Sequence, residues 1–298
     1  MPYKFIQYET VGDGNLARIS LNRPEARNAQ NRGLLVELDE AFRRAEQDDS
    51  IDVIILAGNG PSFSAGHDMG SEVAAAEELP GPEQHPTFRI DGGTAQSHVE
   101  RRMLQEWHYY FECTNRWRNL RKITIAQVHG KVISAGLMLM WACDLIVAAE
   151  DTLFADVVAT RLGMPGVEYL AHPFEFGPRK AKELLLTGDA IDADEACRLG
   201  MVSKIFPAGE LPQNTIEFAS RIAKRPAMAR LLIKDSINGA VDAMGFQESL
   251  KHSFTLHQLG HAHWTALHDD KFPAAKPGPD ITDWRAAGPL RIADPHRP

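Results

Sequence analysis

Two apolar runs constrain this chain more than any other feature. Val53-Ile54-Ile55-Leu56-Ala57-Gly58 is continuous and ends on glycine, and Ile123–Val128 is a second apolar strand, interrupted by Thr124 and Gln127. A strand apolar at every position must be covered on both faces. Each run opens into a loop of small residues and then a helical pattern. The first leads through Asn59–Gly66 to Phe63-Ser64-Ala65-Gly66-His67-Asp68, where Asp68 is read as opening a short helix. The second leads through His129-Gly130-Lys131-Val132-Ile133-Ser134-Ala135-Gly136 to the apolar helix Leu137–Cys143. Repeated strand–loop–helix units predict an α/β fold.

Other elements follow from periodicity. Tyr3–Glu9 and Asn15–Leu21 flank Gly12-Asp13-Gly14 and read as a hairpin. Leu34, Leu35, Leu38, Phe42 and Ala45 fall at helical spacing within 31–47. Residues 77–98, broken by Pro80, Gly81, Pro82, Pro86, Gly92 and Gly93, are expected to form a mobile loop or lid. A helix is expected over Val99–Leu120, with Trp107, His108, Tyr109, Tyr110 and Phe111 as a buried face or an acyl-pocket wall. Leu145–Ala149, Thr152–Ala155 and Gly200–Phe206 read as strands. Helices are expected to dominate from Ala181, with Thr215–Ala223, Ala227–Met244 and Phe246–Leu267 at the end. Three regions result: a core over 1–206, a helical region over 207–270 and a proline-rich tail over 271–298.

Composition removes several classes of function. With 44% hydrophobic and 24% charged residues over 298 positions, the chain can bury a full core. Its formal charge of −8 argues against nucleic acid or an anionic membrane as the main partner. Cys113, Cys143 and Cys197 form no CxxC pair, which excludes a zinc ribbon or redox dithiol and suits a reducing compartment. The amino terminus lacks a signal-peptide core, and the longest apolar stretch, near Leu137–Cys143, is too short for a membrane span. A soluble cytoplasmic protein is expected. GxGxxG, Walker and GxSxG patterns are lacking, so Ser64 and Ser134 do not read as nucleophiles. His252, His257, His261, His263 and His268 crowd the last helix. His257 and His261 share a face at i, i+4, as metal ligands can. With no HExxH and no acidic partner at matching spacing, they read as solvated or interface histidines, and no metal is expected.

The two junctions carry the expected chemistry. Small residues let a ligand approach the backbone closely, and a helix start offers unpaired N–H groups with partial positive charge. Two such ends converging on one point could hold a developing oxyanion. The alternative is two tight turns with packing glycines.

The chain resembles the crotonase, or enoyl-CoA hydratase/isomerase, superfamily over about residues 3–265. Asn22-Arg23-Pro24-Glu25-Ala26-Arg27-Asn28-Ala29 is similar to the family's NRPxxxNA segment, and Phe63–Asp68 to its FxAGxD motif. His129-Gly130 through Cys143-Asp144 resembles the glycine-rich stretch that ends in CD, and Gly163-Met164-Pro165-Gly166 matches the G-x-x-P-G loop. Leu186-Thr187-Gly188, Ala193–Ala196 and Leu199–Val202 follow in family order. The resemblance implies a spiral of β-β-α units with a carboxyl-terminal helical subdomain. It also implies trimers or hexamers, and a coenzyme A thioester as substrate with no covalently bound cofactor. By motif position, the backbone N–H groups of His67 and Ala135 would hold the thioester oxygen.

The usual acid/base positions of the hydratases are apolar here, Met138 and Val158. Neither can activate water or donate a proton. Glu168, two residues beyond Gly166, is the first replacement; otherwise it is an exposed carboxylate starting a helix over 168–176. The His67 imidazole is a second option, and His172, Asp156 and Glu150 are weaker ones. Asp68 reads as a cap and Asp144 as structural. The resemblance assigns CoA contacts to Glu25, Ala26, Arg27, Ala65, Gly66, His67, Asp68, Gly136, Phe246 and Lys251. It assigns a substrate pocket to Met138, Val158 and Gly166. The expectation is an acyl- or enoyl-CoA enzyme of hydratase/isomerase type. A CoA-thioester hydrolase, C–C lyase or decarboxylase, or a non-catalytic acyl-CoA-binding subunit, are the alternatives.

Overall fold

The computed structural model describes residues 2–77 and 103–267. The expected lid over 77–98, beyond Glu77, and the expected tail over 271–298 lie outside the described residues. Strands are β1 (Ile6–Val11), β2 (Leu16–Leu21), β3 (Val53–Gly58), β4 (Ile123–Val128), β5 (Lys131–Ile133), β6 (Leu145–Ala149), β7 (Leu153–Ala155), β8 (Ile191–Asp192) and β9 (Lys204–Phe206). The larger sheet has the order β1-β2-β3-β4-β6-β9, and the smaller one β5-β7-β8. The β1–β2 hairpin is antiparallel, pairing Ile6 with Leu21 and Val11 with Leu16; from β2 to β9 the large sheet is parallel.

The apolar runs do what two-sided burial demands. Successive side chains of a strand point to opposite faces. Ile54, Leu56, Ala126, Val128, Ile146 and Ala148 enter one core, under the Arg32–Gln47 and Ala135–Trp141 helices. Val53, Ile55, Ile123, Ile125, Val147 and Ala149 enter a second core, closed by Leu211 and Ala219 of the Leu211–Ala223 helix. The β-β-α repeat is visible along the chain. β4, β5 and the Ala135–Trp141 helix make one unit, and β6, β7 and the Val158–Leu162 helix the next. Each short second strand joins the small sheet, which stacks the junction loops beside one another.

The structure departs from the sequence reading at several elements. The helix expected over Val99–Leu120 contains a π-helical stretch, Glu106–Glu112, before Cys113–Arg118. Its aromatic run is not uniformly buried: Tyr109 and Phe111 are core, while Trp107 is 38% exposed. The helix His172–Thr187 starts after 168 and runs on past 176 to join the helical stretch expected from Ala181, and it is broken at Gly177, which precedes Pro178. Pro cannot donate to the helix ladder, which accounts for the break. Two-residue β8 is too short to show a period. Its Asp192 accepts from the Glu195 amide and caps the next helix, Ala193–Leu199.

The carboxyl-terminal helices Ala227–Ala243 and Phe246–Leu267 lie close to the expected spans. Neither is long and apolar enough to cross a membrane, and the same holds for every described helix. Lys234 fastens the first of them to the sheet. Its Nζ lies 3.0 Å from Asp144 Oδ2, which also accepts from the Thr124 amide (2.8 Å) and hydroxyl (3.0 Å). Asp144 is thus structural, as expected. Removing one partner of a buried pair strands the other charge. Lys234→Ala is expected to lose about 3 kcal/mol, read as a lowered denaturant midpoint with unchanged slope; a loss within error would contradict this.

Glu175 supplies a pH handle on stability. Burial pushes its carboxyl up to about 7. The folded chain therefore holds this proton more tightly than the unfolded chain, whose carboxyl titrates at about 4.3. Stability is full below that value and falls as pH rises through about 7. The complete shift corresponds to about 4 kcal/mol, and partial access to water reduces it to about half. Glu175→Gln should raise Tm at pH 8 but not at pH 4; equal shifts at both would refute the assignment.

Candidate active site

The two junctions are stitched together through their main chains. The Phe63 amide donates to the His129 carbonyl (3.0 Å) and the Ile133 amide to the Ser64 carbonyl (3.0 Å). Ser64 and Val132 form a parallel bridge. A Cβ at Gly136 would lie 2.7 Å from the Ser64 carbonyl oxygen, so this approach requires glycine. Gly66 adopts φ +90°, and a Cβ there would lie 2.9 Å from the Ile133 carbonyl oxygen and 3.3 Å from the Ala135 nitrogen. The backbone leading into His67 therefore runs directly beside the Ala135 amide. Ala135 is the first residue of its helix, where amides have no partner within the helix. Ser134 before it sits at φ 47°, ψ −112°, a conformation costly for a side-chain residue. Its Oγ accepts from the Val157 amide (3.2 Å), which helps hold it there.

The first junction is anchored from Arg23, whose guanidinium pairs with Asp68 at 2.7 Å, both side chains buried. Burial pushes the Asp68 carboxyl up, but hydrogen bonds from Ser71 and Arg23 outweigh it and lower it overall. Asp68 does not open a helix. It accepts from the Ser71 amide and hydroxyl, and Ser71 Oγ accepts from the Ala74 amide ahead of the Glu72–Ala76 helix. Glu25, Ala26 and Arg27 lie at the one-turn 3-10 helix Pro24–Ala26 and its cap. Glu25 and Arg27 are exposed. The turn is tied to the junction by the Ala65 amide on the Arg27 carbonyl (2.9 Å).

Glu168 is not the exposed start of a helix. It lies in irregular chain ahead of His172 and is 4% exposed. Its Oε2 accepts from His67 Nε2 at 3.0 Å, and its Oε1 lies 3.6 Å from His257 Nε2. Burial pushes the carboxyl up, yet the His67 and His257 imidazoles more than reverse this and hold it below the usual range, ionised. The His67 ring stacks on Tyr110, with centroids 3.7 Å apart. Burial pushes the Tyr110 phenol up, so it stays neutral. The π-helical stretch thus supplies one wall of the His67–Glu168 pair, a role no sequence period signals.

The other expected residues differ in their surroundings. Met138 is 2% exposed in the core, and Val158 packs against the same core. His172 and Asp156 are a buried pair at 3.1 Å, with Asp156 also accepting from the Val158 and Val167 amides; this reads as structure. Glu150 is exposed. Phe246 is core, in T-shaped contact with Phe174 and Tyr169 and with the Arg118 guanidinium 4.7 Å over its ring. Lys251 is exposed beside Glu248. Ser64 Oγ is spent on the Asn28 carbonyl.

The late histidines correct the sequence reading. His252 and His263 are exposed, and His268 lies outside the described residues. His257 and His261 are each 3% exposed and face Glu106, 4% exposed. The acidic partner comes from the π-helical stretch, far away along the chain.

Comparison with known proteins agrees with this architecture. The sequence profile of the "Enoyl-CoA hydratase/isomerase" family matches residues 12–263. A Mycobacterium tuberculosis (H37Rv) protein named "Putative enoyl-CoA hydratase EchA13" is 62% identical over 296 residues, covering 99% of this chain and 93% of the relative. The Arthrobacter protein named "4-chlorobenzoyl coenzyme A dehalogenase-2" is 31% identical, with 84% of each chain covered. The crystal structure of a "probable enoyl-CoA hydratase" from Mycobacterium smegmatis superposes with a TM-score of 0.77 at 42% identity, covering 89% of this chain and 97% of that one. A β-β-α spiral with this motif order, matched along nearly its whole length, has one assignment: the chain belongs to the enoyl-CoA hydratase/isomerase family, within the crotonase superfamily.

Proposed function

We propose that this chain acts on an enoyl-CoA thioester by way of an enolate, with the His67 and Ala135 amides holding the thioester oxygen. The observation that carries the reading is the His67–Glu168 hydrogen bond at 3.0 Å, because His67 belongs to the same loop that meets the Ala135 amide. Oxyanion donors and a proton-handling pair thereby share one residue. Enolate formation places negative charge on the thioester oxygen, where two preset N–H groups stabilise it. Backbone donors do not depend on side-chain identity, so His67 and Ala135 suffice.

Hydration needs one group to activate water and one to deliver a proton to carbon. The sequence offered Glu168 first, and the His67 imidazole second, to replace the positions held by Met138 and Val158. The structure sets that imidazole beside Glu168, giving a pair of adequate chemistry. Water addition is therefore the favoured outcome, and the names of the hydratase relatives agree. A double-bond shift would use the same enolate. Thioester hydrolysis, C–C cleavage or decarboxylation on the same grip is the second reading; a relative named for dehalogenation shows the family is not confined to hydration. The test is crotonyl-CoA in deuterated buffer. Hydration should bleach the enoyl absorbance and place deuterium at C2. Tight binding of CoA esters with neither change would leave the non-catalytic subunit reading.

Exposed Glu25 and Arg27, with Ala26, would meet the nucleotide end of the ligand, Arg27 pairing with phosphate. Ala65, Gly66 and Asp68 would line the pantetheine path, with Gly136, Met138, Val158 and Gly166 backing the acyl end. Region 207–270 would assemble the chain as a trimer or a pair of trimers. Leu232, Ile233 and Ile237 are each more than half exposed on the Ala227–Ala243 helix, an apolar face of the kind that marks an interface. Ile233→Asp with Ile237→Asp should shift the mass in solution toward monomer; a wild-type monomer would refute the assembly. The proposed compartment is the cytoplasm, checked by fractionation.

A further inference from the structure

Three groups from distant parts of the chain meet in the interior beside the proposed site. His261 Nε2 lies 3.0 Å from Glu106 Oε1 and 3.0 Å from His257 Nε2, and His257 Nε2 lies 3.7 Å from Glu106 Oε2. We propose that Glu106, His257 and His261 form a binding site for a divalent first-row transition-metal ion, with Zn²⁺ the favoured occupant.

Donor chemistry is the first argument. Two imidazoles and one carboxylate are a ligand set typical of zinc and of non-haem iron. For bonds of about 2.0–2.1 Å in tetrahedral geometry, neighbouring donor atoms lie about 3.3 Å apart. His261 Nε2 lies 3.0 Å from both His257 Nε2 and Glu106 Oε1, close to that value, and the other carboxylate oxygen, Oε2, lies 3.7 Å from His257. The helical i, i+4 spacing puts both imidazoles on one face, and the π-helical stretch brings the carboxylate to it.

The surroundings of the three groups are the second, independent argument. Metal-binding histidines donate their other ring N–H to a carbonyl, which fixes the tautomer, and the ligating carboxylate is itself hydrogen-bonded. His257 Nδ1 donates to the Gly166 carbonyl at 2.8 Å, which orients Nε2 toward Glu106, His261 and, at 3.6 Å, Glu168 Oε1. Gln258 Nε2 donates to Glu106 Oε2 at 2.6 Å.

Charge is the third. A buried carboxylate requires a compensating positive charge. Among the described residues, the ion-pair partners of Glu106 are His257 and His261. Either protons on these imidazoles or a cation between them must supply it. A single proton held between the two facing nitrogens, 3.0 Å apart, and a cation bound by both are the two arrangements this geometry allows.

The inference does not depend on the thioester chemistry, and its test needs no substrate. Untagged, full-length protein is stripped with chelator, equilibrated with Zn²⁺ or Co²⁺, and freed of excess metal by gel filtration. Elemental analysis should give one ion per chain. The Co²⁺ form should show the visible bands of a low-coordinate nitrogen/oxygen site, and Zn²⁺ should raise Tm. Glu106→Gln and His261→Gln, each checked for fold by circular dichroism, should fall to background. His263→Gln, at an exposed histidine of the same helix, should retain one ion. Wild-type protein that keeps no ion and shows no cobalt spectrum would overturn the proposal and leave protons as the countercharge. Binding unaffected by Glu106→Gln and His261→Gln would overturn it too, by placing the metal elsewhere.

Discussion

Glu168→Gln is expected to lower turnover of crotonyl-CoA by about 10²–10⁴-fold, the usual contribution of a positioned acid or base. The substitution keeps the volume of the side chain and an oxygen able to accept from His67 Nε2, but it removes the carboxylate's capacity to take a proton. Since CoA recognition is assigned to the Glu25–Arg27 turn and the junction backbone, KM should change little. The loss belongs in kcat, the pattern of an interaction made only in the transition state. His67→Ala should fall between this variant and wild type, because it deletes the imidazole and leaves the amide in place. A Glu168→Gln enzyme retaining nearly full kcat would move proton handling elsewhere.

Gly66→Ala tests the oxyanion grip itself. The new methyl would stand 3.3 Å from the Ala135 nitrogen and 2.9 Å from the Ile133 carbonyl oxygen, at a backbone φ of +90°. The expected stability cost is about 1–3 kcal/mol for a non-glycine residue in that region. Activity should fall further, by about 10²–10³-fold, as for loss of one oxyanion donor. Thermal unfolding separates the two effects: the variant should be folded at assay temperature and still inactive. A folded Gly66→Ala enzyme with near wild-type turnover would show that the gap beside Ala135 is not where the reacting oxygen sits.

Features set by local chemistry could be read from the sequence. The continuous apolar run Val53–Gly58 and the largely apolar strand Ile123–Val128 announced a sheet covered on both faces, and the structure fills both sides. The glycines that let the junctions approach one another stood out because turns and close contacts need them. Glu168 could be picked out by its place after Gly166, but its burial could not. A carboxylate near a helix start usually faces water, and only the fold brings His67 and His257 to it. The same holds for Glu106. Its partners lie on the last helix, and a side chain that finds its neighbours through tertiary packing leaves no spacing to detect. The π-helical stretch was equally silent, since one inserted residue per turn does not disturb the apolar pattern enough to distinguish it from an α-helix. Trp107 illustrates the limit: it was read with His108, Tyr109, Tyr110 and Phe111 as a buried face or pocket wall, and it stacks on Phe111 yet remains 38% exposed.

The stitching of Phe63 and Ser64 to His129 and Ile133 has an evolutionary corollary. Because main-chain atoms lock the loops together, the cradle tolerates exchange of the reactive side chains around it. Mutational drift at positions 67, 138, 158 and 168 could trade one reaction for another without dismantling the scaffold, whereas an insertion between 63 and 66, or between 129 and 135, should abolish every such chemistry at once.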